Sequence, residues 1–240
     1  MNNLVCMPTG PLIEEMIEKG KIDLKKVFGK YDIDGLEITF GYKHRIYGFK
    51  IDKEQEKWLK GLKYVSLHAP FGFVSRSENK EEIKKQMDLL QKIYKQVNAK
   101  ALILHPHECP YELLKNYKMN YALENMPLRH YRNNNKINQD MLKQKYGFCL
   151  DTAHASDFGE KEIEKLYKKM KKKLVQIHLS GVINKEHHQS LVDSPKEYID
   201  SLKGLRETNV PLILEINFTD LSVRAVNKEI RFARKMFKKS

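Results

Sequence analysis

The stretch YGFCLDTAH, residues 146–154, joins a short apolar run to a polar end. Phe148, Cys149 and Leu150 follow one another without the alternation of a strand that has one face in water, so the run is typical of a strand buried on both faces. Asp151 and His154 mark the place where the apolar run ends. The stretch therefore predicts a parallel strand whose carboxyl end carries polar side chains.

Seven further runs of the same kind occur along the chain. They are NLVCM (3–7), DGLEITF (34–40), YVSLHAP (64–70), AKALILHP (99–106), NYALENM (120–126), LVQIHLS (174–180) and VPLILEI (210–216). Segments with helical periodicity and high charge lie between runs, and the clearest are residues 80–97, 160–173, 194–207 and 223–237. Eight strands that alternate with helices predict one α/β domain, residues 1–240, folded as a (β/α)8 TIM barrel. The polar stretch 129–140 is interpreted as a loop.

The composition is typical of a basic intracellular protein. The 44 Lys and Arg outnumber the 31 Asp and Glu, and the formal net charge of +13 favours polyanionic partners such as nucleic acid. A Lys-rich solvated surface explains the same charge without any partner. Three cysteines without a CxxC pair argue against a disulfide scaffold and a thiolate zinc site. No signal peptide and no membrane-spanning run is recognised, so we expect a cytoplasmic protein.

Polar side chains that are able to bind metals end seven of the eight predicted strands. These residues are Glu37, His68, His105, Glu124, Asp151, His178 and Glu215. In a TIM barrel the carboxyl ends of the strands line the reaction site, so all seven are expected at one rim. Carboxylates gathered out of water repel one another unless cations lie between them. Imidazoles with carboxylates and no thiolate are the ligands of catalytic zinc or manganese, and the sequence therefore predicts a metal cluster.

Three more histidines extend the predicted cluster outward. His154 lies three residues beyond Asp151 and is expected to bind a neighbouring metal. His187 and His188, with Glu186, lie in the loop after the seventh strand and are candidates for the same outer ion. Adjacent histidines also occur as ordinary loop residues, and a single buried polar side chain is often a hydrogen-bonded core group.

The strand order and the motif GFCLDTAHA resemble the endonuclease IV family of zinc-dependent apurinic/apyrimidinic endonucleases, which have a xylose isomerase-like TIM barrel. The resemblance covers nearly the whole chain and is most specific in this motif, which is similar to the family's DTxHA signature. It implies that His68 and His105 hold a first metal and that Glu124 bridges it to a second. Three residues would complete the second metal: Asp151, His178 and Glu215. His154 would bind a third.

The sequence departs from the family pattern at this third metal. The family supplies an Asp-x-His run in the next loop, whereas this chain has EHHQSL. One alignment keeps His188 and puts Glu186 in the place of the aspartate, and the other uses His187 and puts Lys185 there. A lysine does not bind a cation. The chain is also somewhat short for the family, which implies trimmed loops.

The resemblance implies hydrolysis of the phosphodiester 5′ to abasic sites in DNA, as in base excision repair. Two metals about 3.5 to 4 Å apart supply a hydroxide nucleophile and stabilise the entering and leaving oxygens. Two or three zinc ions are the expected cofactors, manganese is an alternative, and the candidate catalytic residues are Glu124 and Glu215. The partner would be abasic DNA, contacted by basic and aromatic loop residues: Arg45, Phe71, Arg76, Arg129 and Arg132. Phe71 is interpreted either as a wedge between bases or as packing at the barrel mouth. No protein partner is implied.

Three other functions are compatible with the same residues. A sugar isomerase or epimerase of the xylose isomerase-like superfamily needs a single metal, and its two glutamates move protons at sugar carbons. Such an enzyme resembles this chain in Glu124, Asp151, His178 and Glu215 but leaves His68 and His105 without a metal. A non-catalytic relative would bind abasic DNA without cutting it. A metal-dependent phosphoesterase with a small substrate is the third alternative.

Overall fold

A computed structural model describes residues 3–10, 22–73, 79–128, 134–159 and 161–238. Eight parallel strands form a closed barrel: β1 (Val5–Pro8), β2 (Gly35–Thr39), β3 (Tyr64–His68), β4 (Ala101–Leu104), β5 (Tyr121–Glu124), β6 (Gly147–Asp151), β7 (Leu174–Leu179) and β10 (Leu212–Leu214). Their order around the barrel is β1-β10-β7-β6-β5-β4-β3-β2. The strands β8 (Gly181–Ile183) and β9 (Glu186–Gln189) form a separate antiparallel hairpin. The predicted (β/α)8 TIM barrel is confirmed.

Helices lie between the strands in the described ranges. They are α1 (Leu24–Phe28), α2 (Lys43–Gly48), α3 (Lys53–Gly61), α4 (Lys80–Gln96), α5 (Tyr111–Leu114), α6 (Asn134–Lys143), α7 (Thr152–Ser156), α8 (Glu162–Met170), α9 (Lys196–Ser201) and α10 (Val223–Met236), with 3-10 turns at Pro106–Glu108 and Leu202–Leu205. Asp52 caps α3 by accepting a hydrogen bond from the backbone N–H of Gln55 at 2.9 Å. Among the described residues, no helix combines the length and the apolar character that a membrane crossing requires.

One element differs from the sequence-based expectation. Residues 129–140 were expected to form a loop, but the helix α6 begins at Asn134. Met141 of this helix is buried in the core, and the Asn138 side chain bonds to both the backbone N–H and the C=O of Met126, at 2.8 and 2.9 Å. Tertiary contacts thus stabilise a helix whose polar composition, by itself, favours a loop.

The barrel interior is apolar in its middle and polar near the carboxyl ends of the strands, which form the upper mouth. Ala101, Ile103, Ala122 and Cys149 form a small apolar cluster that is separate from the main core between strands and helices. Because side chains alternate along a strand, residues two positions further along face the same interior. His105, Glu124 and Asp151 stand at these positions above Ile103, Ala122 and Cys149, so the strand period places them at the upper mouth of the barrel.

Candidate metal centre

Imidazoles and carboxylates converge in three groups at the upper mouth of the barrel. Within each group, one ligand atom from every residue lies within 4.8 Å of the others. The inner group is His68, His105 and Glu124; the middle group is Glu124, Asp151, His178 and Glu215; the outer group is Asp151, His154 and His188. Glu124 and Asp151 each belong to two groups, so two carboxylates link three candidate ion sites.

The ends of the barrel strands position these residues. His68, Glu124 and Asp151 are the last residues of β3, β5 and β6. His178 is the penultimate residue of β7, whereas His105 and Glu215 directly follow β4 and β10. The parallel register holds neighbouring ends at one level, since Asp151 pairs with His178. The sequence-based expectation of one rim therefore describes six of the seven strand-end residues.

Glu37 is the exception. It lies in the middle of β2 and is fully buried, and its Oε2 accepts hydrogen bonds from Ser66 Oγ at 2.8 Å and Gln176 Nε2 at 2.6 Å. In the described structure it belongs to none of the three groups. Glu37 was expected beside the ligands, but its position two residues before the end of β2 places it below them.

The Glu124 carboxylate lies between the inner and middle groups. Its Oε2 is 3.0 Å from His68 Nε2 and 3.7 Å from His105 Nε2. Its Oε1 is 3.2 Å from His154 Nδ1 and 3.5 Å from His178 Nδ1. One oxygen thus faces the inner group and the other faces the middle group, which is the arrangement of a carboxylate that bridges two ions.

Buried atoms of the middle group lack hydrogen-bond partners within the described part of the chain. They are Asp151 Oδ2, His178 Nδ1 and Glu215 Oε2. His178 Nδ1 lies 2.9 Å from Glu215 Oε2 without forming a hydrogen bond with it. Leaving a buried polar atom unsatisfied costs about 1–3 kcal/mol. A divalent cation among these atoms would satisfy all three, so the residues fit a metal ion.

Three of the candidate ligand histidines contact a neighbouring oxygen through Nδ1, the ring nitrogen that would not bind the ion. His68 Nδ1 is 2.8 Å from the carbonyl oxygen of Ala69, and His188 Nδ1 is 3.1 Å from that of Glu215. His105 Nδ1 is 3.5 Å from the Glu108 carboxylate, an ion-pair distance at which no hydrogen bond forms. A histidine that binds a metal through one nitrogen typically donates a hydrogen bond from the other, and this fixes its tautomer and orientation. Each of these three rings accordingly has Nε2 available for an ion.

Protons balance the charges of the cluster in the metal-free chain. Burial opposes ionisation of Glu124, but the nearby His178, His154 and His68 hold the pKa of its carboxyl well below the usual range. Burial lowers the pKa of His68, whereas the hydrogen bond and charge of Glu124 raise it to about 9. His154 behaves in the same way: burial lowers its pKa, but the charges of Asp151, Glu124 and Glu215 and the hydrogen bond with Glu124 together raise it to about 9. Positive charge is therefore favoured where the ions would lie.

The outer group differs from the sequence-based expectation. His154 and His188 are joined by Asp151 and not by Glu186, which is exposed at the start of β9. His187 was predicted as a ligand, but in the described structure it belongs to none of the groups, because its Nε2 lies 2.8 Å from Asp157 Oδ1. The contact of Asp157 with His187 was not inferred from the sequence, and neither was the membership of Asp151 in the outer group.

A cavity of about 420 Å³ opens above the cluster. Phe71, Met126 and Pro127 form an apolar wall beside the ligands, and His107 also lines the cavity. The Phe71 ring is 59% exposed, and its centroid is 4.9 Å from that of His105. His107 was not predicted from the sequence, where the spacing HPHE is its signal; its ring stacks on that of His105 with the two centroids 5.9 Å apart.

The predicted DNA-contacting residues are only partly described. Arg45 lies on α2 with its guanidinium 4.9 Å from the ring of Tyr42, an exposed aromatic residue that sequence analysis did not select. Phe71 lies at the cavity mouth, and its backbone N–H donates to the carbonyl oxygen of Gly41 at 2.8 Å, so the loops after β2 and β3 are joined. Three predicted contacts lie outside the described residues: Arg76, Arg129 and Arg132.

Comparison with known proteins supports the fold. No protein-family model and no curated protein matches the sequence. The probable 3-DHS dehydratase of Bacillus anthracis is similar with a TM-score of 0.71 at 11% identity, over 97% of this chain and 98% of that one. Endonuclease IV of Thermus thermophilus has a TM-score of 0.61 at 12% identity, over 97% and 98%. A D-tagatose 3-epimerase-like protein has a TM-score of 0.65 at 15% identity, over 97% and 96%. The chain thus has the fold of the xylose isomerase-like TIM barrels.

Proposed function

We propose that the chain is a metal-dependent endonuclease of the endonuclease IV type, which hydrolyses the DNA phosphodiester 5′ to an abasic site. The inner group carries this proposal. An isomerase with one metal requires only the middle group. His68 and His105 would then be two buried imidazoles directed at a carboxylate that already has a metal to bind. A second ion, held by these two histidines and Glu124, would give them a function.

The metals would be zinc, with manganese as an alternative, since imidazole and carboxylate ligands suit both. Two such ions, when bound, supply an activated water and stabilise both oxygens of an in-line phosphodiester displacement. The chain contributes the positions of the ligands. Glu124 would hold the inner and middle ions near one another because one oxygen faces each group, and Glu215, whose side chain is 27% exposed, would be the ligand nearest to solvent in the middle group.

The lining of the cavity and the charge of the chain favour a substrate that contains a sugar and a phosphate. Phe71, Met126 and Pro127 offer apolar surface beside the ligands, which suits the ring of a deoxyribose without a base. A net charge of +13 favours association with a polyanion, and Arg45 lies on α2, the helix that follows the carboxyl end of β2. We propose Arg45, and also Arg76, Arg129 and Arg132, as phosphate contacts, and Phe71 as the residue that contacts the lesion.

The test is cleavage of a labelled duplex that carries one abasic-site analogue, with the zinc- or manganese-loaded protein. Wild type should cut 5′ to the lesion, and Glu124→Gln should lose activity by several orders of magnitude. Glu112→Gln is the matched control, since Glu112 is an exposed glutamate outside the cluster. If wild type binds the duplex without cutting it, the chain is a non-catalytic relative, and a duplex that is neither bound nor cut refutes the proposal.

A sugar isomerase or epimerase is the second candidate, because the middle group is complete without the inner one. His105→Ala separates the two functions. Removal of this inner ligand should abolish phosphodiester cleavage if two metals are needed, whereas a one-metal isomerase should keep most of its activity. Incubation with a panel of ketoses, followed by chromatographic separation of the isomeric and epimeric sugars formed, measures the second activity in wild type and His105→Ala.

A further inference from the structure

Glu37 is a buried carboxylate that the proposed chemistry does not use. It is 1% exposed and lies beneath the ligands, inside the barrel. Ser66 Oγ and Gln176 Nε2 donate to its Oε2, and Tyr64 donates to Gln176 Oε1 at 2.9 Å. Burying a negative charge costs free energy even when it is hydrogen-bonded. Uncharged residues would fill the same space without this cost, so packing alone does not account for a carboxylate at position 37.

His178 lies between Glu37 and the metal ligands. Its Nε2 is 3.2 Å from Glu37 Oε1. Its Nδ1 is 2.9 Å from Glu215 Oε2 and 3.5 Å from Glu124 Oε1. The ring thus presents one nitrogen to Glu37 and the other to the middle group. A neutral histidine that binds an ion through Nδ1 has to carry its proton on Nε2.

We propose that Glu37 is a positioning residue for the middle site: it accepts the Nε2–H of His178 and thereby leaves the Nδ1 lone pair for the ion. The inference rests on the metal centre of the proposed function. Glu37 would then be the carboxylate of a carboxylate–histidine–metal arrangement. Removal of such a carboxylate typically weakens metal binding by the histidine that it holds. Glu37 also brings the carboxylates around the inner and middle groups to four, which balances two divalent ions: Glu37, Glu124, Asp151 and Glu215.

Gln176 is the competing partner. Its Nε2 lies 2.9 Å from His178 Nε2, and a hydrogen bond donated by this amide would select the opposite tautomer, with the proton on Nδ1. That tautomer would direct a proton at the middle group and oppose metal binding. One N–H of the Gln176 amide donates to Glu37 at 2.6 Å and its oxygen accepts from Tyr64 at 2.9 Å, so only the second N–H is left to compete for His178 Nε2. An ionised carboxylate is also the stronger acceptor for an imidazole N–H.

The first test needs no variant. Long-range 1H–15N correlation spectra of the 15N-labelled, zinc-loaded protein report which ring nitrogen of each histidine carries a proton, and His178→Ala identifies the His178 signals. We expect a proton on Nε2 and a metal-bound Nδ1. A proton on Nδ1 would overturn the proposal, and this measurement remains informative even if substitutions of Glu37 prevent folding.

The second test is zinc affinity, measured by competition with a chromogenic chelator. Glu37→Gln keeps the shape but removes the charge, and it should weaken the binding of one zinc ion roughly 10- to 100-fold. Ser66→Ala is the control, because it removes a donor to Glu37 and leaves the Glu37–His178 contact; its affinity should match wild type. Equal zinc affinity in Glu37→Gln and wild type refutes the role of Glu37. Loss of DNA cleavage is not used as a readout, so a failure of the nuclease proposal is distinguishable.

Discussion

Asp151 has a separate task for each of its carboxylate oxygens. Its Oδ1 accepts a hydrogen bond from the backbone N–H of His154 at 2.7 Å and so caps α7. Its Oδ2 is buried without a hydrogen-bond partner among the described residues and belongs to both the middle and the outer group. Burial raises the pKa of this carboxyl to about 6 even though the charges of His154 and His188 lower it. A bound cation would remove the cost of ionising it.

Because Asp151 is shared, its substitution should affect two sites at once. Asp151→Asn is expected to lose the ions of the middle and outer groups, whereas His105→Ala should lose only the ion of the inner group. The zinc content of desalted protein, measured by plasma mass spectrometry, distinguishes these outcomes. Full zinc content in Asp151→Asn would show that the residue is not a ligand.

The raised pKa values of His68 and His154 predict a pH dependence of the metal-free protein. Both folded values are about 9, above the ordinary histidine pKa of about 6.5. The stabilisation from these two groups is therefore complete below about pH 6.5 and is lost as the pH rises through about 9. We expect the Tm in a chelating buffer to fall over this range, and to change less with zinc bound, because the ion replaces the protons. Thermal unfolding followed by circular dichroism measures this, and a Tm that rises with pH would contradict it.

The β8–β9 hairpin carries His188 outside the barrel and needs its own support. His188 has a φ of 57°, a left-handed conformation that costs free energy in a residue other than glycine. Its carbonyl oxygen accepts from the backbone N–H of Asn217 at 2.8 Å. Glu229 on α10 accepts from the hydroxyl of Ser190 and from the backbone N–H of Leu191, at 3.0 Å for the latter. The last helix thus fixes the segment that follows His188.

Removal of this support should affect the outer site selectively. Glu229→Ala leaves the donors of Ser190 and Leu191 unsatisfied, so we expect the free energy of unfolding to fall by about 2–3 kcal/mol. The affinity of the outer ion should fall roughly tenfold while the inner and middle ions stay bound, since Glu229 acts only through the hairpin. Urea unfolding and zinc titration measure the two effects. Lys228→Ala, an exposed neighbour on α10, is the control, and an equal loss of all ions would contradict this role.

Closure of the barrel brings its first and last strands together. The strand β1 pairs with both β10 and β2, and Asp34 reinforces this seam. Its Oδ2 accepts from the backbone N–H of Val5 at 3.1 Å and from Arg234 of α10 at 3.0 Å. Lys63 bonds to Oδ1 at 2.6 Å. Although burial raises the pKa of Asp34, these hydrogen bonds outweigh it and the pKa is lowered.

A lowered carboxyl pKa stabilises the fold above the unfolded value and loses this effect as the pH falls through the folded value. Asp34→Asn should therefore lower the free energy of unfolding at pH 7 by about 1–2 kcal/mol, a figure that allows for solvent screening of the partly exposed ion pairs. The difference from wild type should shrink as the pH is lowered below about 4. Urea unfolding at pH 7 and pH 3 provides the comparison, and the same difference at both would contradict an electrostatic origin.

The fold was predictable because its signals are local. Each barrel strand corresponds to a short apolar run in the sequence, such as residues 99–106. The helical segments 80–97 and 223–237 have apolar residues at the helical period of 3.6 residues. Residues at the ends of parallel strands meet at one rim whatever the details of packing, and so His68, His105 and Glu124 were expected near one another before any distance was known. The helix α6 was missed because its stability comes from contacts with Met126 and the core, not from its own polar sequence.

The amino-acid order of this chain thus specifies the barrel, its strand ends and the types of ligand at its mouth, because these follow from periods of two and 3.6 residues. It does not specify partners across the barrel. The depth of Glu37, its contact with Gln176, 139 positions away, and the contact of His187 with Asp157, 30 positions away, arise only when the strands and the hairpin pack. Such contacts depend on the register and twist of many elements together, and no local pattern encodes them.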